Sequence, residues 1–84
     1  VNKIKTILFL DNTYPKPYQV STLDTQAIGG TESSIIKTAQ ILSKYYQVLV
    51  AQRFREKTHI ENSQLKFISK KTITQHNPDY IVIL

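Results

Sequence analysis

Residues 31–51 read TESSIIKTAQILSKYYQVLVA, and within this stretch the apolar period changes from that of a helix to that of a buried strand. Ile35, Ala39, Leu42 and Tyr46 recur at three-to-four spacing. Ile36 and Ile41 widen the stripe, and Lys37, Gln40 and Lys44 lie opposite, which is the pattern of an amphipathic helix. Thr31 marks its expected start, with Ser34 three residues on in place of the glutamate of a full capping box. Glu32 is expected to act as a first-turn charge at the positive end of the helix dipole. Gln47-Val48-Leu49-Val50-Ala51 then reads as a short apolar strand.

Upstream, Ile4, Ile7, Leu8, Phe9 and Leu10 form a nearly continuous apolar run after a basic start, as in a parallel strand buried on both faces. Asp11-Asn12-Thr13-Tyr14-Pro15-Lys16-Pro17 breaks it with two prolines and locally hydrogen-bonding side chains. Residues 11–28 have no convincing period, and loops of that length in a compact domain are usually functional or mobile. Downstream, residues 52–64 read as polar loop, Leu65-Lys66-Phe67-Ile68 as a third strand, residues 72–76 as one short helical turn stopped by Asn77-Pro78, and residues 80–84 as a fourth strand.

The expected fold class is therefore α/β: a Rossmann-like, doubly wound open parallel sheet with strand order 3-2-1-4, forming one partial domain over residues 1–84. In that order the direction of winding reverses between the first and fourth strands. The crevice outside their carboxyl ends is the expected ligand position, and the loop from Asp11 to Gly30 lies there.

Composition bounds the chemistry. At 84 residues the chain is at most one small domain, without room for a large self-contained catalytic cleft. The absence of cysteine excludes a disulfide framework, a thiolate zinc site and a thiol nucleophile. The formal charge of +5 is scattered: Lys3 and Lys5 precede a strand, and Arg53, Arg55 and Lys57 alternate with Phe54 and Glu56 in loop sequence. These read as solvated surface, not as a nucleic-acid stripe, although they leave room for an anionic ligand or peripheral contact with a lipid surface. With no apolar run near the roughly 20 residues of a membrane span and no signal peptide, a cytoplasmic protein is expected. The chain starts at Val1 and stops at Leu84, the last letter of an apolar run, which reads as a fragment of something longer.

Gly29 and Gly30 are the only glycines, and they precede the helix. A dinucleotide site would need a tight glycine turn directly after the first strand and an acid near the end of the second, where Ala51-Gln52-Arg53 has none. A P-loop would need lysine followed by serine or threonine after the glycines, and Thr31-Glu32 stands there instead. A phospho-accepting receiver would need an acidic cluster at the strand ends, and Asp11 is alone. Two readings stay open. The pair either turns the loop into the helix or presents bare backbone amides at a helix start to a phosphate or sugar oxygen.

These residues resemble the beginning of a retaining GT-B glycosyltransferase of family 4. The resemblance is carried by the basic first strand (residues 3–10), the proline-containing loop, the motif Gly29-Gly30-Thr31-Glu32 ahead of an amphipathic helix, the strand at Tyr46-Gln47-Val48-Leu49-Val50, and Asn77-Pro78-Asp79-Tyr80-Ile81-Val82. It runs nearly end to end but covers only the first part of such an enzyme's amino-terminal domain.

The resemblance implies transfer of a sugar from a nucleoside-diphosphate sugar to an acceptor between two Rossmann-like domains, with no further cofactor and no metal. It implies backbone contacts from Gly29 and Gly30 and a hydroxyl contact from Thr31. Asp11 and Asn12 face the same crevice, where they meet acceptor hydroxyls or cap the turn. Tyr14 and Tyr18 stack on a sugar or, more simply, pack the loop. Val82 stands where the family frequently has histidine, and the domain bearing the family's acidic pair lies outside the chain. No catalytic residue is therefore assigned, and the fragment alone is expected to be inactive. Self-association through an exposed fourth-strand edge is the partner the fragment reading allows. The alternative is a small flavodoxin-like binding or regulatory module.

Overall fold

The computed structural model describes residues 4–12, 14–25 and 30–84. Its elements are β1 (Thr6–Asp11), α1 (Thr22–Thr25), α2 (Gly30–Leu42), β2 (Gln47–Gln52), β3 (His59–Asn62), β4 (Leu65–Ser69), a 3-10 helix (Lys70–Gln75) and β5 (Tyr80–Ile83). The chain is α/β, with a mixed and mostly parallel sheet of five strands in the order β3-β4-β2-β1-β5. β1 pairs parallel with β2 and β5, β2 pairs parallel with β4, and β3 pairs antiparallel with β4.

This order differs from the expected four-stranded parallel sheet by its first strand. β3 lies within the stretch read as polar loop, and the physical reason is its place at the edge. Ile60, Glu61 and Asn62 are exposed and His59 is half-buried, so the strand needs no apolar alternation, and its charge and a bulge between Ile60 and Asn62 blunt the open edge. α2 begins at Gly30, one residue before the expected start, and ends at Leu42, with Tyr46 reached through a turn.

Alternation along the strands divides the core into two layers. Ile7, Phe9, Val48, Val50, Leu65 and Phe67 point to one face and pack against Ile35, Ile36 and Ala39 of α2 and against Tyr18. Leu8, Leu49, Ala51 and Ile68 point to the other face, where Ile73 of the 3-10 helix packs on them. Ile41, expected on the apolar stripe, is exposed instead, because α2 buries only one side against the sheet. β5 is the less covered edge: all four of its residues are exposed, Ile83 to 70%. Asp79 ties its start to β1, with its backbone N–H donating to Thr6 O at 2.9 Å and its Oδ2 accepting from Thr6 N at 2.8 Å. Among the described residues no helix is long and apolar enough to cross a membrane.

Candidate functional site

The carboxyl ends of the parallel strands carry the polar interior of the protein. In register, Asp11 of β1 lies beside Gln52 of β2, and Gln52 beside Ser69 of β4. All three are buried. They continue the α2-facing rows of each strand, two residues beyond Phe9, Val50 and Phe67, so the row sits directly above the apolar core. Buried polar groups at that position require partners.

Gln52 supplies them for the segment crossing the end of the sheet. Its Oε1 accepts from Tyr18 N (3.3 Å) and Arg55 Nε (2.8 Å), and its Nε2 donates to Tyr18 O (2.8 Å). Arg55 also donates to Tyr18 O, Gln19 Oε1 and Lys57 O, and burial pulls its guanidinium below the ordinary arginine range. Arg55 is therefore an internal strut that fastens the 18–19 segment to the β2 end. In sequence it reads as solvated surface, because a loop has no period that marks a buried position.

Asp11 does the same from β1. Its Oδ2 accepts the Tyr18 hydroxyl at 2.8 Å and its Oδ1 accepts Tyr14 N at 3.3 Å. Tyr18 is buried, edge-on to Tyr14 (ring centroids 5.6 Å apart) and to Phe67 (6.2 Å). Burial, then the Asp11 carboxylate, push its phenol far above the ordinary tyrosine range. Tyr18 is part of the core and is not a platform on which a sugar stacks. Asp11 likewise caps the turn after β1 and is 2% exposed.

Glu32 completes this cluster from α2. It stands in the first turn of the helix, as expected, and is buried (7% exposed). Burial first, and the neighbouring Asp11 charge after it, raise Glu32 above its ordinary value of 4.5. The spacing carries the signal. Glu32 precedes Ile35 by three residues, Ile36 by four and Ala39 by seven, which puts it on the buried stripe.

The open surface lies beside this cluster. A groove of about 520 Å³ runs between α2 and the β1–β5 side of the sheet, lined by Phe9, Gly30, Thr31, Ser34, Ile35, Thr38 and Leu84. Thr31, Ser34 and Thr38 follow helical spacing and make a hydroxyl-bearing strip. Phe9, Ile35 and Leu84 make the apolar wall. Gly30 needs no left-handed backbone, since no glycine among the described residues has positive φ, and a Cβ built on it meets nothing within 4 Å.

Of the five residues expected at the site, Gly30 and Thr31 line this groove, Asp11 is held internally, and Gly29 lies outside the described residues. Asn12 does not line the groove, but its Oδ1 is a buried acceptor without a hydrogen-bond partner among the described residues. No group of three or more histidine, aspartate or glutamate side chains among the described residues is arranged to hold a metal. Comparison with models of protein families, with curated proteins and with solved structures gives no match.

Proposed function

We propose that the chain is the amino-terminal part of a sugar-transferring enzyme of the GT-B, family 4 type, with a Rossmann-like sheet whose groove at Gly30 and Thr31 receives the donor diphosphate or the acceptor. The observation that carries this reading is the groove's composition and place. Thr31, Ser34 and Thr38 line it together with apolar Phe9, Ile35 and Leu84, which suits a sugar, with its polar rim and apolar ring face. The groove borders β1, which stands between β2 and β5 in the sheet. β2 and β5 are reached by connections on opposite sides of it, and such switch points are where open α/β sheets take ligands. In the whole enzyme the second domain supplies the catalytic acids and most nucleotide contacts, so this chain binds without turnover.

Gly30 gives the cleanest test, because neither backbone strain nor internal packing demands glycine there. Amide shifts in a nuclear magnetic resonance titration with uridine-diphosphate glucose, uridine diphosphate and glucose, each to millimolar concentration, are expected to move at Gly30, Thr31, Ser34 and Thr38. Gly30→Val is expected to fold normally and to abolish those shifts. Shifts that are absent from the groove for every probe, or that persist unchanged in Gly30→Val, overturn the reading.

A further inference from the structure

The groove at Gly30 and Thr31 has a lining that narrows its ligand. Its hydroxyl-bearing residues, Thr31, Ser34 and Thr38, all belong to α2, whereas Phe9 of β1 and Leu84 beyond β5 are apolar. No side chain among the described residues that line it is charged. Glu32, the charged neighbour of Thr31 in the chain, is an acid. The start of α2 offers an anion about half a unit of charge, far less than a diphosphate carries. The lining therefore favours a neutral ligand.

The apolar side also continues past the groove. Phe9 stands in register with Val82, and Ile7 with Tyr80. Ile7 and Phe9 pack on the α2 side of the sheet, and Leu84 lines the groove together with Phe9, so Leu84, Val82 and Tyr80 make a row on that side. At the usual rise per residue the row spans about 13 Å, and all three residues are exposed. It ends at Lys5, whose ammonium lies 5.6 Å from the centre of the Tyr80 ring. Ile81 and Ile83, in register with Leu8 and Leu10, belong to the opposite face. An exposed apolar row that borders a hydroxyl-bearing groove is a place where the apolar part of a ligand leaves water.

We propose, resting on the reading of this groove as a ligand site of a sugar-transferring protein, that it binds an uncharged amphiphile: a hydroxylated headgroup beside Thr31, Ser34 and Thr38, and an alkyl chain laid over Leu84, Val82 and Tyr80. Within that reading the ligand is the acceptor, and it is of lipid type. A free sugar leaves the row bare. A nucleoside diphosphate brings negative charge to a lining whose described side chains hold no cation.

Nuclear magnetic resonance titration of the wild-type chain with methyl glucoside, with octyl glucoside below its micelle-forming concentration and with uridine diphosphate tests the assignment. Each methylene that the row buries tightens binding about fourfold, so two of them give roughly fifteenfold. Octyl glucoside is accordingly expected to bind at least about tenfold more tightly than methyl glucoside. Its shifts are expected at Thr31, Ser34 and Thr38 and at the methyls of Val82 and Leu84, and not at those of Ile81 and Ile83. The two isoleucines control for indiscriminate adsorption of detergent, because they are the more exposed pair. Equal affinity for the two glucosides, or shifts spread evenly over both faces of β5, overturns the proposal. Groove shifts with uridine diphosphate alone also overturn it and leave the sugar-transfer reading standing, whereas no groove shift with any probe removes both. Val82→Ser, at an exposed position, is expected to fold and to narrow the affinity ratio of the two glucosides by at least about threefold. An unchanged ratio takes β5 out of the site.

Discussion

Replacing Tyr18 with phenylalanine removes one oxygen and leaves the ring, so it isolates the hydrogen bond that holds the 14–19 segment to the end of β1. The ring is buried and keeps its edge contacts with Tyr14 and Phe67, so no large cavity opens. What is lost is a 2.8 Å O–H···O bond to a buried carboxyl. Hydrogen bonds to charged groups contribute about 1.5–3 kcal/mol net, and the variant leaves Asp11 with one donor fewer at a buried position. The expected loss of stability is about 2 kcal/mol, which for a domain of this size lowers the melting temperature by roughly 8–16 °C. Urea unfolding followed by circular dichroism measures it, and an unchanged m-value is required for the comparison. Tyr14→Phe, on a half-buried ring, serves as the control and is expected to stay within about 0.5 kcal/mol of wild type. If Tyr18, Asp11 and Glu32 act as one network, Tyr18→Phe and Glu32→Gln are non-additive by at least about 0.5 kcal/mol. A Tyr18→Phe loss below about 0.5 kcal/mol would refute the reasoning, since it would mean that Asp11 does not depend on this donor.

Two further substitutions test the packing around the site. Gln52→Leu removes the amide that bonds Tyr18 N, Tyr18 O and Arg55 Nε; stranding those buried groups is expected to cost about 3 kcal/mol in urea unfolding, and a loss below about 1 kcal/mol would show that the network rearranges freely. Ile83→Lys places a charge on the exposed β5 edge and is expected to suppress concentration-dependent self-association in sedimentation velocity without lowering stability; a wild-type chain that stays monomeric to millimolar concentration removes that role from β5.

The parallel part of the sheet is legible in the sequence because its strands are apolar runs, and the helix is legible because Ile35, Ile36 and Ala39 keep helical spacing. β3 is not legible, because an edge strand can be polar on both faces and His59-Ile60-Glu61-Asn62 offers no alternation. The site is half legible. Asp11 extends the Ile7–Phe9 alternation and Glu32 extends the α2 stripe, so two periods, one of two residues and one of 3.6, mark both acids as buried. Reading each acid by its local role, as a turn cap or a first-turn charge, hides their burial. Arg55 and Gln19 give no signal, since the contacts that bury them join segments 36 residues apart in the chain.

The polar row Asp11, Gln52 and Ser69 explains why fold and candidate site are hard to separate at the carboxyl edge. Each of these residues closes an apolar strand and also anchors a neighbouring segment. Asp11 and Gln52 hold the segment through Tyr18, and Ser69 caps the 3-10 helix by accepting from Lys71 N at 3.2 Å. Substituting any of them removes partners from buried groups, so a loss of binding in such variants would report unfolding as readily as recognition. Groove residues without that duty discriminate better. Gly30 has open space where a side chain would go, and Ser34 and Thr38 are exposed on α2. Changes there leave the row intact, so a binding defect at those three positions without a stability defect is the pattern that a ligand groove requires and a purely structural edge does not produce.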